Sequence, residues 1–344
     1  MRSGRSLFLS NQNDRQVIIT GQSLALAILN VPEALKFYLP GWTVYNGSVG
    51  STYYTDLKTG TVPFANSVQH GGSVILCIHG ESDAAAPTDP IVYKQNLIDW
   101  RNDYASAMAN PNLMFLLDQM SSKGYDYDNN SSVYPSHLIH YSQYHAGLDN
   151  TADKIFLAGP KYQYQYETVA LQPSGAPYVH MTSDSYSWLG QKYAQIIGRL
   201  VNTGDWKPLY PTGISRTGAV ITITCNVPVP PLAIDTTTVS ARTNRGFVYE
   251  DSTSSATISS VTVGTNTITI TLNTTPTGST KIIRYAYWPN HPTLSPLSIG
   301  SRGYAIGGMI AGNIRDSDTF AQYVSGTGPW NGGNWLVHFT LDVP

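Results

Sequence analysis

The chain has 344 residues, more than one ordinary domain needs and enough for two domains with separate cores. Charged residues make up only 12% and the net charge is −2, well under the roughly 25% of an average soluble protein. There is accordingly no basic stripe of the kind a nucleic acid requires, and no run approaches the ~20 apolar residues of a membrane span.

The start, Met1 to Leu9, carries two arginines, but its apolar run stops at Ser10-Asn11-Gln12, too short for a secretory signal. Five apolar runs follow: Val17 to Thr20, Trp42 to Tyr45, Val74 to Ile78, Leu113 to Leu117 and Ile155 to Ala158. Their apolar character is continuous rather than alternating, which marks strands buried on both faces and predicts a five-stranded parallel sheet. Between and after them, Leu97, Trp100, Tyr104 and Met108, and then Leu189, Tyr193, Ile196, Ile197 and Leu200, recur at spacings of mostly three or four. That is the period of amphipathic helices. Strands alternating with helices predict a doubly wound α/β domain, with functional groups in loops beyond the carboxyl ends of the strands.

Around Gly204 to Gly213 the pattern changes. Ala219 to Thr224, Ala256 to Val263, Thr267 to Leu272 and Lys281 to Tyr287 alternate with period two, are rich in threonine and β-branched residues, and are divided by turns such as Gly264-Thr265-Asn266. They predict an all-β, sandwich-like second domain. The expected division is an N-terminal extension over 1–15, an α/β domain over 16–203, a linker over 204–213, and a β domain over 214–344. The last of these ends in a Gly- and aromatic-rich segment with one more strand at Trp335 to Leu341. Cys77 and Cys225 lie in apolar strand contexts of different domains and read as buried free thiols.

Three short segments carry chemistry: Gly21-Gln22-Ser23, His79-Gly80-Glu81-Ser82-Asp83 and Val179-His180-Met181-Thr182. Ser23 lies between a predicted strand and the helix-like Leu24 to Leu29, a turn that lifts a hydroxyl to the sheet's edge among free backbone N–H groups. A serine there is either a nucleophile or the N-cap of the helix. His180 precedes the second amphipathic helix, which Thr182-Ser183-Asp184 can cap. His137, His140 and His145 lack the spacing and partners of a zinc site and read as a Tyr- and His-rich helix face.

With Asn46-Gly47-Ser48-Val49-Gly50-Ser51, these segments resemble the four blocks of the SGNH (GDSL-type) hydrolases. The similarity is greatest to the sialate O-acetylesterase and acetylxylan esterase group of carbohydrate esterases, whose first and third blocks read GQS and QGESD. It covers roughly residues 16 to 203. The resemblance implies a flavodoxin-like three-layer domain and a cofactor-free serine esterase that removes O-acetyl groups from a carbohydrate through an acyl-enzyme. It implies Ser23 as nucleophile and His180 as base, with an oxyanion hole of the Ser23 and Gly50 N–H groups and the His79 side chain. Two positions depart from the pattern. The family's aspartate three residues before the histidine is here Pro177, so the acid passes to Glu81, then to Asp83, or a Ser-His dyad works without one. His79 stands where glutamine is usual, and either donates to the oxyanion or is itself the base.

Tyr125, Tyr127, Tyr164, Tyr166, Trp188 and Trp330 are candidates for stacking on sugar rings. The low charge and two-domain plan suit an extracellular or phage-tail protein acting on a cell-surface glycan, as a homo-oligomer or within a virion. Two other functions fit the same residues: a lipase or arylesterase, or a non-catalytic glycan-binding or virion structural module.

Overall fold

A computed structural model describes residues 15–85, 88–121, 138–167, 179–254, 256–286, 311–319 and 333–344. The first domain runs β1 (Gln16–Gly21), α1 (Ser23–Leu26), α2 (Val31–Tyr38), β2 (Thr43–Asn46), α3 (Tyr54–Leu57), α4 (Val62–His70), β3 (Val74–Ile78), α5 (Glu81–Ala85), α6 (Pro90–Ala107), β4 (Met114–Gln119), α7 (Leu138–Asp149), β5 (Ile155–Pro160) and α8 (Ser183–Thr203). The five strands form one parallel sheet in the order β2-β1-β3-β4-β5.

Alternation within the apolar runs explains why the strands look uniformly hydrophobic. Val17, Ile19, Val74, Leu76, Leu116 and Phe156 pack on one face with α2 and α8, while Ile18, Ile75, Cys77, Phe115, Leu117 and Ile155 pack on the other with α6 and α7. Both faces of the sheet are therefore dry, and the domain has three layers. The flavodoxin-like architecture expected from the sequence is present.

The helix expected from Leu24 stops after one turn. Asn30 adopts a left-handed φ of 62°, and Pro32 opens α2 in its first turn, so the chain breaks and restarts in a new direction. α6 starts where Asp89 accepts hydrogen bonds from the N–H groups of Ile91 and Val92, a side-chain cap followed by Pro90.

The second domain holds β6 (Tyr210–Thr217), β7 (Val220–Asn226), β8 (Ala233–Ile234), β9 (Phe247–Asp251), β10 (Ile258–Val263), β11 (Thr267–Leu272), β12 (Lys281–Tyr285), β13 (Ile314–Arg315) and β14 (Phe339–Asp342). Antiparallel sheets β10-β11-β7-β6 and β14-β12-β9 enclose one core: Ile221, Ile223, Ile268 and Ile270 from the first meet Phe247, Ile283, Tyr285 and Phe339 from the second. The alternate positions Thr222, Thr224, Thr267 and Thr269 face outward, as the period-two pattern requires. Cys77 and Cys225 are buried free thiols.

The C-terminal segment belongs to both domains. β14 completes the three-stranded sheet, whereas Val337 joins the core beneath α6 and α7, and Leu336 pairs with Leu209. Gln119, at the end of β4, donates to the His338 carbonyl at 2.9 Å and accepts from the His338 N–H at 2.8 Å. The stretch expected to link the domains is also packed down, since Trp206 is buried and its indole N–H donates to the Leu157 carbonyl at 3.0 Å. Among the described residues no helix is long and apolar enough to cross a membrane.

Candidate active site

Gly21 closes β1 with a φ of +135°, a conformation that favours glycine, and a Cβ there would collide with the Ile78 carbonyl of β3. The tight turn presents Ser23 as the first residue of α1. Gln22, not Ser23, occupies the N-cap position. The Ser23 hydroxyl, half-buried, lies 2.8 Å from Nε2 of His180. The capping reading of Ser23 is thus replaced by a side chain paired with an imidazole.

His180 is held by a short antiparallel ladder. The Glu167 N–H donates to the His180 carbonyl at 2.8 Å, the Thr182 N–H donates to the Gln165 carbonyl at 3.0 Å, and Tyr166 faces Met181 between them. Thr182 does take the N-cap position of α8, but its hydroxyl donates to Ser185 Oγ rather than accepting from a backbone N–H. Burial lowers the His180 pKa, with the nearby charges of Glu167 and then Glu81 opposing the drop. The ring is therefore neutral at physiological pH, the form a base requires. With Nε2 accepting from the serine hydroxyl, the ring proton belongs on Nδ1.

The loop after β2 extends the pairing of β1: the Gly47 N–H donates to the Ile19 carbonyl at 2.9 Å and the Val49 N–H to the Gly21 carbonyl at 3.0 Å. Gly50 follows directly and is brought to the Ser23 turn by these hydrogen bonds. Among the described residues, neither the Ser23 nor the Gly50 N–H has a backbone acceptor, which suits donors reserved for an oxyanion. Asn46 shapes this loop, donating to the Ala25 carbonyl and accepting from the Ser48 N–H.

Glu81, the first expected acid, is placed otherwise. One carboxylate oxygen accepts from Gln22 Nε2 at 3.0 Å and the other from Lys161 Nζ at 2.8 Å. Lys161 also lies 2.6 Å from Asp118, which accepts from the Tyr193 hydroxyl at 3.0 Å. Gln22, Glu81, Asp118 and Lys161 follow or end β1, β3, β4 and β5, which are consecutive in the sheet. A fully buried polar chain therefore runs across its carboxyl edge. Sequence reasoning missed Gln22, Asp118 and Lys161, although all three sit where α/β domains keep functional groups. One cation cannot neutralise two carboxylates: burial, with repulsion from Glu81, pushes Asp118 up to about 6 against the pull of Lys161. Burial alone would lower Lys161, but the two carboxylates hold it above its ordinary range. Glu81 braces the Ser23 turn through Gln22, which also accepts from the Ser82 N–H. Its charge reaches His180 as the second of the two carboxylates that oppose the effect of burial there.

Asp83, the second expected acid, accepts from the Tyr54 N–H at 3.1 Å and from Thr88 at 3.3 Å, and so anchors α3. His79 is buried as well. Its ring is 1% exposed, Nδ1 lies 2.9 Å from the Tyr93 hydroxyl, Nε2 lies 3.6 Å from Asp83, and Trp100 packs edge-on against it. Tyr93 and Trp100 belong to the core on the α6 side of the sheet. Leu24 and Ala25, which follow Ser23, belong to the opposite one. Burial lowers the His79 pKa, with Asp83, Glu81 and a hydrogen bond to the Thr52 backbone opposing the drop, so the ring is neutral.

Tyr164, Tyr166 and Trp188 are buried in the core beside α8 and offer no face to a sugar. Tyr125, Tyr127, Trp330, His137 and Pro177 lie outside the described residues. His140 is buried against His338, and His145 lies 2.9 Å from Asp149 at the surface. Among the described residues there is no group of three or more His, Cys, Asp or Glu side chains able to hold a metal ion.

No protein-family model matches the chain, and no curated protein matches it. Solved structures do. A carbohydrate acetylesterase from Xanthomonas citri superposes with a TM-score of 0.60 at 10% identity, over 95% of this chain and 80% of that one. A lipase/acylhydrolase from Enterococcus faecalis matches with a TM-score of 0.39 at 10% identity, covering 54% of this chain and 96% of its own. A GDSL-like lipase from Bacteroides thetaiotaomicron matches with a TM-score of 0.35 at 14% identity, covering 55% and 90%. The two-domain fold of this chain is thus shared with a solved acetylesterase structure.

Proposed function

We propose that this protein is a serine esterase of the SGNH type that removes O-acetyl groups from a carbohydrate. The observation that carries the reading is the 2.8 Å contact between Ser23 Oγ and His180 Nε2, made at a strand-to-helix turn whose Ser23 and Gly50 N–H groups have no backbone acceptor among the described residues. Ser23 Oγ attacks the acetyl carbonyl while its proton passes to His180 Nε2, and the oxyanion forms against the Ser23 and Gly50 N–H groups. Collapse of the tetrahedral intermediate breaks the bond to the sugar oxygen, which takes the proton from His180. Water, deprotonated by the same nitrogen, then releases acetate and restores Ser23. This chemistry uses no metal and no organic cofactor.

The acetyl and carbohydrate specificity rests on the fold shared with the Xanthomonas enzyme and on the GQS and GESD segments. The same reading makes an O-acetylated surface glycan the partner, in an extracellular or phage-tail setting and in an oligomer or virion, with the β domain positioning the polymer. The test is acetate release from acetylated xylan and O-acetylated sialosides by wild type and by Ser23→Ala. A loss of about 10³-fold or more in kcat is expected, and equal rates would overturn the proposal.

One feature favours a longer acyl group. Leu26, 57% exposed, stands one helical turn after Ser23, and Val49, 39% exposed, precedes Gly50. Aryl or aliphatic esters compared by chain length separate the readings: kcat/KM falling beyond two carbons supports an acetylesterase, and a preference for eight or more carbons supports a lipase.

A further inference from the structure

We infer that Glu167, on the strand opposite His180, is the positioning carboxylate of the catalytic imidazole, supplying from a cross-strand register what Pro177 does not supply from the histidine's own loop. The inference rests on the esterase reading above.

The argument is one of register. Tyr166 and Met181 face each other in the ladder, flanked by the hydrogen bonds from Glu167 N–H to His180 O and from Thr182 N–H to Gln165 O. Tyr166 and Met181 are each 1% exposed and turn inward to the core beside α8. Successive side chains of an extended strand project to opposite faces. Glu167 and His180, the next pair in the ladder, therefore share the face away from that core, where His180 meets Ser23. Directly opposed residues have Cβ atoms about 4.5–5.5 Å apart, so the carboxylate and the imidazole are held as neighbours by main-chain hydrogen bonds rather than by chance of side-chain packing. Glu167 is itself buried, which strengthens a charge at that distance.

Electrostatics agree with the register. Two carboxylates raise the proton affinity of His180 against burial, and Glu167 outranks Glu81. The charge of Glu81 is also partly offset by Lys161 at 2.8 Å, a cation it shares with Asp118. Glu167 is thus the group best placed to stabilise the imidazolium that forms when the Ser23 proton reaches Nε2, and to hold the ring in the tautomer that leaves Nε2 free to accept.

The experiment compares wild type, Glu167→Gln, Glu167→Asp and Ser23→Ala, each checked for folding by circular dichroism, using acetate release from an acetyl ester across pH 5 to 9. Glu167→Gln is expected to lower kcat by about 10²-fold. It should also move the acid limb of the kcat/KM profile to lower pH by about one unit, because removing the neighbouring charge lowers the proton affinity of His180. Glu167→Asp keeps the charge and should hold the limb at its wild-type position. A Glu167→Gln variant with kcat within threefold of wild type, or with reduced kcat and an unmoved limb, overturns the inference. So does a limb displaced as far in Glu167→Asp as in Glu167→Gln. If Glu167→Gln does not fold, Glu167→Ala takes its place, with the same displaced limb expected and an unmoved limb overturning the inference. An inactive Ser23→Ala beside an unaffected Glu167→Gln refutes the role of Glu167 only, whereas an active Ser23→Ala refutes the esterase reading itself.

Discussion

Acidification should loosen the junction between the two domains, and His338 is the group through which it acts. Its ring is fully buried: Nδ1 lies 2.5 Å from the Ala286 carbonyl in the β domain, and Nε2 lies 2.9 Å from Ser121 Oγ at the end of the parallel sheet. Nδ1 therefore donates to the carbonyl, and in the neutral ring Nε2 is left to accept from Ser121. Burial pulls its pKa from 6.5 to about 4, with the Ala286 hydrogen bond opposing. Below pH 6.5 the unfolded chain binds a proton that the folded chain refuses, so stability is complete above that value and is lost as pH falls toward 4. Between pH 7 and pH 5 the loss from this one group is about 2 kcal/mol. The assay is urea unfolding of wild type and His338→Gln at both pH values. The variant should be less stable at pH 7 but should lose about 2 kcal/mol less on acidification. Asp118 titrates over a similar range with the opposite sign, since a raised carboxylate pKa removes stability as pH rises from about 4 to 6. Because it is present in both proteins, it cancels in the comparison. Equal pH responses in wild type and variant would refute the reasoning.

Lys161→Met strands Glu81 and Asp118 without their cation in a dry site. It should cost about 3–5 kcal/mol in urea unfolding at pH 7, and a change under 1 kcal/mol would show that the buried chain does not need it. Gly21→Ala places a Cβ against the Ile78 carbonyl at a φ of +135°. It should destabilise by more than about 2 kcal/mol or displace Ser23 and lower kcat, and a variant matching wild type in both would contradict the turn geometry. Asp83→Asn keeps most contacts of a residue that anchors Tyr54 and Thr88. It should leave the acid limb of kcat/KM in place, and a shift of that limb would restore Asp83 as a candidate acid.

The α/β domain and the Ser23 and His180 positions were legible because they depend on local patterns. Runs such as Val74 to Ile78 report burial on both faces, and a serine between a strand and a helix reports a turn at a sheet edge. What failed to show depends on which way a side chain points once several strand ends are brought together. Glu81 and His79 are two residues apart after the same strand, yet Glu81 reaches Gln22 and Lys161 along the sheet edge while His79 packs against Trp100 on the α6 side. The path of the chain through Gly80, whose φ is +125°, decides this, and no periodicity encodes it.

The role of Lys161 was hidden for a related reason. A single lysine after an apolar strand reads as a surface residue, and only the strand order, which sets β5 beside β4 and β4 beside β3, brings Asp118 and Glu81 to it. An acid three residues before the histidine would let the histidine's own loop orient it, and here that position is Pro177. As inferred above, the ladder between 165–167 and 180–182 takes over that geometric task, because main-chain hydrogen bonds fix the relative position of opposed side chains. On that inference, His180 does not depend on a carboxylate at position 177, provided the opposing strand keeps its register. One residue of slip in that ladder would turn Glu167 into the core and bring Tyr166 to face the imidazole.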